Sequence, residues 1–175
     1  GVSVSTYAEL QTAIANWLGG RTDLTSRITE WISFFEARFN RTIRVREMEA
    51  RYTATIAQFL ATPTSFAGFR RLQLSTSPIQ VLQLVSPEWM SDNYVSTSTG
   101  RPRVFSIIGS EIQFAPSPDS SYTLAGVYYV KLAALSASNT TNWLLTANPD
   151  LYLYGSLVES QAYTNTDERF PLWMA

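Results

Sequence analysis

Apolar residues recur three and four apart near the start of the chain, alternate through its middle, and return to helical spacing near its end. One layer type cannot absorb all three patterns, so the chain has to combine helices with a sheet. Thr6 followed by Glu9 forms a capping-box pattern, after which Tyr7, Leu10, Ile14, Trp17 and Leu18 mark one helix that Gly19 and Gly20 end. A second helix is expected from about Asp23 to Asn40, with Leu24, Ile28, Trp31, Ile32, Phe35 and Phe39 as its stripe and Phe34 outside it. Trp17, Trp31, Phe35 and Phe39 are expected to be core. Two helices joined by a short glycine turn form an antiparallel hairpin that needs a third element to bury its shared face, and Pro149–Tyr163 supplies it. Between these helices, Arg51–Ile56, Arg70–Leu74, Ile79–Val85, Val104–Ile108, Glu111–Phe114 and Tyr122–Val130 are short, rich in β-branched or aromatic residues, and bounded by Pro, Ser and Gly, as strands are. Gly109-Ser110 suits a two-residue hairpin turn, Ser86-Pro87-Glu88 opens a short helix, and the polar stretch 96–102 is expected to be a mobile loop. The expected fold is α+β: a bundle of antiparallel helices from both chain ends, residues 1–50 plus 132–175, with a small antiparallel β module inserted at 51–131.

Composition narrows the function. The 175 residues include no Cys and no His, which removes the commonest general base, thiolate or imidazole metal ligands, and every Ser-His-Asp or Cys-His constellation. Neither a Walker pattern nor GxGxxG occurs, and the carboxylate pairs Glu47/Glu49 and Asp167/Glu168 stand beside arginines, where ion pairing explains them. No catalytic residue, metal or cofactor is expected, and the chain reads as a non-enzyme. No apolar run is long enough to span a membrane and GVSVSTYAE lacks the features of a signal peptide, so a cytosolic address is expected. Only 15% of residues are charged against 45% apolar, below the roughly 25% charged that is usual for soluble domains. Residues 21–71 hold nine Arg against five carboxylates, whereas residues 86–175 hold four cations against eight carboxylates. Opposed charge at the two ends favours head-to-tail association of copies.

Three segments carry candidate sites. Arg38, Arg41, Arg44, Arg46 and Arg51 could track phosphates or form ion pairs, although Glu36, Glu47 and Glu49 lie among them. Around the helix from Pro149, Leu151, Tyr154, Val158 and Ala162 share one face, while Tyr152, Ser156, Glu159 and Tyr163 share another whose mixture of tyrosine, small and charged groups suits a protein–protein interface better than a core. Asn148 is the expected cap of that helix, and Gly155 permits close approach of a neighbouring backbone. Beyond it, Phe170, Leu172 and Trp173 make an apolar segment that suggests docking. Two alternatives compete with self-association. One is a nucleic-acid-binding module on residues 38–51; the other is a carbohydrate-binding tail module with Tyr128, Tyr129 and Trp89 as stacking platforms.

TYAEL (Thr6–Leu10), NWLGGRTDL (Asn16–Leu24), ITEWISFFEARFNRTIRVREMEAR (Ile28–Arg51), TGRPRVFSIIGSEIQFAPSPD (Thr99–Asp119) and NWLLTANPDLYLYGSL (Asn142–Leu157) occur in this order over more than half the chain. As an ordered set they resemble the head-to-tail adaptor (connector, head-completion) proteins of tailed bacteriophages, particularly short-tailed ones. The resemblance implies a helical bundle bearing a β domain, with about twelve copies in a closed ring beneath the portal. It also implies a virion protein of the head–tail junction, assembled in the host cytoplasm, whose partners are further copies of itself, the portal protein, a tail nozzle or tail tube protein, and packaged DNA passing without sequence-specific contact. It places a portal-reaching segment on Asp167–Ala175.

Overall fold

The computed structural model describes residues 3–164. The fold is α+β, and the chain divides into two compact units, Gly1–Glu47 with Leu132–Ala175, and Met48–Lys131.

In the helical unit, α1 (Tyr7–Trp17) begins at a complete capping box: Thr6 Oγ1 accepts from the Glu9 N–H and Glu9 Oε2 accepts from the Thr6 N–H, both at 3.3 Å. Gly19 and Gly20, at φ 82° and 75°, turn the chain through the left-handed region that glycine enters without a β-carbon clash. α2 (Thr25–Thr42) starts two residues later than the pattern predicts, because the Asp23 carboxylate is held by Arg21 rather than capping the helix. Its buried side is the expected stripe of Ile28, Trp31, Ile32, Phe35 and Phe39, joined by Glu36. An irregular segment then leads into a short α4 (Trp143–Ala147) that the sequence pattern misses. Asn142 caps α4, its Oδ1 accepting from the Leu145 N–H at 2.9 Å, and Asn148 closes it. α5 (Pro149–Thr164) packs against both α1 and α2. Gly155 is where α5 meets α2: a β-carbon there would lie 2.2 Å from the Phe35 ring.

In the β unit, an antiparallel sheet of order β1-β10-β3-β4 comprises β1 (Glu49–Thr55), β10 (Thr123–Val130), β3 (Phe66–Leu74) and β4 (Gln80–Val81). The second sheet, of order β2-β8-β7-β5, comprises β2 (Phe59–Ala61), β8 (Glu111–Ala115), β7 (Val104–Ile108) and β5 (Gln83–Leu84), with β5 running parallel to β7. Leu72, Leu74 and Leu124 of the first sheet pack on Phe105, Ile112 and Phe114 of the second, giving a sandwich core. The expected strand Ile79–Val85 is divided at Leu82: the residues before it pair with β3 and those after it pair with β7. One backbone run therefore belongs to both sheets. α3 (Pro87–Asn93), capped by Ser86, covers the outer side of the second sheet through Met90, which packs with Val104 and Ala115. Gly109, at φ 60°, turns the β7–β8 hairpin as the sequence indicates. The stretch expected to be a mobile loop is tied down instead, because β6 (Thr99–Gly100) pairs with β9 (Ser117–Pro118).

Candidate functional site

α5 settles which of its faces is available, and it reverses the expectation. Tyr152 and Ser156 are 0% exposed and Ser160 is buried, while Leu151, Tyr154 and Val158 stand half-exposed on the opposite side. The reversal has a polar cause. The Tyr152 hydroxyl donates to Glu36 Oε2 at 2.9 Å and accepts from Asn142 Nδ2 at 2.7 Å, so a tyrosine can be wholly buried without an orphaned oxygen. Glu36 Oε2 also accepts from the Leu135 N–H at 2.9 Å, and Asn40 Oδ1 accepts from the Leu132 N–H at 2.7 Å, so α2 side chains tie down the irregular return segment. Burial raises the Glu36 pKa, an effect only partly offset by the hydrogen bonds from Leu135 and Tyr152. Tyr152 is likewise raised, first by burial.

Glu159 is mostly buried and pairs with Arg38 at 2.9 Å, which makes both residues part of the α2–α5 packing. Tyr163 is partly exposed, its ring 5.9 Å from Trp31 and beneath the Arg27 guanidinium. Of the four residues expected to form a partner surface, Tyr152 and Ser156 are core, Glu159 is engaged internally, and Tyr163 lies at the rim. Phe170, Leu172 and Trp173 lie outside the described residues.

The surface that α5 does present is apolar and borders two different depressions. On one side, Trp17, expected in the core, is 57% exposed and packs edge-on against Tyr154 with ring centroids 5.7 Å apart. It borders a groove of about 420 Å³ lined by Val4, Ala8, Thr12, Ala13, Asn16 and Leu153, among others. On the other side, Leu151 borders a groove of about 400 Å³ whose walls include Phe39, Ile43, Val45, Trp143 and Ala147, with Arg38 and Glu47 at its polar margin. Leu151, Tyr154 and Val158 thus form one exposed apolar stripe at helical spacing, which Trp17 extends through its contact with Tyr154.

Among the arginine candidates, Arg41, Arg44 and Arg46 are exposed around the end of α2, and Arg44 Nη1 donates to the carbonyls of Asn40 and Ile43 at 2.6 and 2.8 Å, satisfying helix C-terminal groups. Arg51 lies in the β unit on strand β1. The proposed stacking platform is dispersed: the Tyr128 ring packs with Tyr52 and Phe66, and Trp89 packs with Tyr94. Among the described residues no cluster of acidic or metal-ligating side chains could hold a metal ion, and no helix is long and apolar enough to cross a membrane.

A family model described as SU10 adaptor protein matches residues 5–175. No curated protein matches the chain. With nearly its whole length matched, the chain belongs to the SU10 adaptor protein family, the structural adaptors of bacteriophage particles.

Proposed function

We propose that the chain is the repeating subunit of a head-to-tail adaptor ring that joins the portal vertex to the tail and extends the DNA channel. The observation that carries this reading is the two-sided helical unit. Its exposed α5 face lies between a Trp17–Tyr154 groove and a chemically different Leu151–Trp143 groove. A closed ring needs two dissimilar, mutually complementary surfaces on each copy, whereas a two-fold dimer needs only one. The portal and a tail nozzle or tail tube protein would occupy the two ends of such a ring, and Asp167–Ala175 is the segment proposed to reach the portal. Tyr163, at the rim of the α5 face, would lie at the edge of this contact.

Native mass spectrometry of the chain alone and mixed with its portal protein tests the reading. A ring-sized oligomer is expected, alone or on the portal, and it should be lost on replacing Trp17 and Tyr154 together by Glu. A strict monomer that ignores the portal overturns the proposal.

Arg41 and Arg46 are exposed with no carboxylate contact among the described residues, which favours a second role in the same ring: a basic lining for passing DNA without sequence readout. Salt-dependent retardation of DNA, lost when Arg41, Arg44 and Arg46 are changed to Ala, is the expected result. Absence of retardation at low salt rules this role out.

A further inference from the structure

The β unit has three layers, and each of its two outermost layers carries charged residues without an ion-pair partner among the described residues, cations on one and carboxylates on the other. On the outer side of the first sheet, the register sets Arg51 and Arg71 on either side of Val127, with Thr53, Ala125 and Gln73 forming the next row. These six residues line a groove of about 290 Å³. Strands spaced about 4.8 Å apart put the two arginine backbones roughly 10 Å from each other. Arg71 donates to the neutral Gln73 side chain at 2.8 Å, and among the described residues Arg51 has no partner. The nearest carboxylate on this sheet, Glu49, is taken by Arg70 at 3.0 Å. On the far layer, α3 turns Met90 inward and leaves Glu88 and Asp92 exposed, four residues apart and therefore one helical turn apart on one face. Neither has a partner among the described residues, and the exposed Trp89 flanks them.

We propose that the Arg51/Arg71 groove receives the α3 face of a second copy of this chain, with Glu88 and Asp92 opposite the two guanidinium groups. The occupant follows from complementarity: among the described residues, two cations without carboxylates on one layer match two carboxylates without cations on the opposite layer of the same unit. Because the two surfaces are different and on opposite layers, each copy that uses one keeps the other free, so the contact runs head to tail. Exposed ion pairs add little affinity but exclude wrong registers, so this contact sets the order and spacing of copies while apolar surfaces hold them. The inference rests on the ring reading above and supplies a lateral contact for it.

Charge reversal tests it. Arg51→Glu with Arg71→Glu makes both layers acidic, and Glu88→Arg with Asp92→Arg makes both basic. Each double variant, checked for an unchanged melting temperature, should associate at least about tenfold more weakly than the wild-type chain in sedimentation at low salt. Mixing the two variants should restore assembly, since each then offers what the other lacks, and combining all four changes in one chain should restore it too. The neutral pair Arg51→Gln and Arg71→Gln should give a smaller loss and, being milder, guards against misfolding. Wild-type association in either double variant, or no recovery in the mixture, overturns this contact while leaving the ring standing. A wild-type chain that remains monomeric with and without portal overturns the ring reading itself.

Discussion

α2 and α5 lie against each other in the helical unit, yet they divide their residues by opposite rules. α2 buries a continuous apolar stripe and exposes its polar side, with Glu36 as the buried polar exception and Phe34 as the exposed apolar one. α5 buries Tyr152, Ser156 and Ser160 and exposes Leu151, Tyr154 and Val158. The difference teaches that a polar side chain can outcompete an apolar one for the interior where its hydrogen bonds are already provided. Glu36 and Asn142 supply those bonds to Tyr152, and Ser160 donates to the Leu157 carbonyl of its own helix. Ser156 has no hydrogen-bond partner among the described residues and is buried as a small side chain beside Gly155, whose missing side chain supplies the space.

The contrast can be broken most severely at Tyr152. Tyr152→Ala should cost about 3–5 kcal/mol in urea unfolding, because it leaves a cavity and strips Glu36 and Asn142 of a partner. Gly155→Ala comes next. A methyl group driven into the Phe35 ring should cost about 1–3 kcal/mol despite the better helix propensity of alanine. An unchanged midpoint for either would show that α5 does not sit against α2 as described.

Glu36→Gln sharpens the comparison through pH. Since folding raises the Glu36 pKa, the native state holds this proton more tightly than the unfolded chain does. Its contribution is therefore fully present below the unfolded value near 4.3 and declines as pH rises through the elevated folded value. Among the described residues, Tyr7, Tyr152, Asn40 and Asn142 face the irregular return segment and the Glu36 carboxylate without supplying a cation. Thermal melts of Glu36→Gln should lose that downward slope, because an amide oxygen can still accept from Leu135 and Tyr152. A slope identical to wild type would assign the effect elsewhere. The smallest change is on the exposed side: Val158→Ser should alter stability by no more than about 0.5 kcal/mol while weakening assembly, separating fold from interface.

Much of the fold is legible where local chemistry is redundant. α1 has a capping box, a period and two glycines, all agreeing, and the β7–β8 hairpin has alternation on both sides of Gly109. Elements too short to show a period escape: β2 has three residues and α4 has five, and both depend on long-range packing. The division of one expected strand at Leu82 is equally invisible, since both halves share one composition and only their partners differ. Within the candidate site, the helix from Pro149 is plain, but its orientation is not. Hydropathy ranks Leu and Val above Tyr and Ser for burial, and it has no means of knowing that a glutamate 116 residues away completes a hydrogen bond. Trp17 misleads for a related reason: it sits at helical spacing with Leu10 and Ile14 but at the end of the helix, where it stays 57% exposed and its ring meets the Tyr154 ring edge-on. Arg71 escapes notice because its closeness to Arg51 comes from strand pairing through β10.

The backbone run through Leu82 has a mechanical consequence. Its amide donates to Leu72 in one sheet while the amide of Val85, three residues on, donates to Phe105 in the other. Shear applied to either sheet is thus transmitted along covalent bonds and not through side-chain friction alone. The two layers should lose their amide-exchange protection in a single event, so that the β unit yields as one block or not at all.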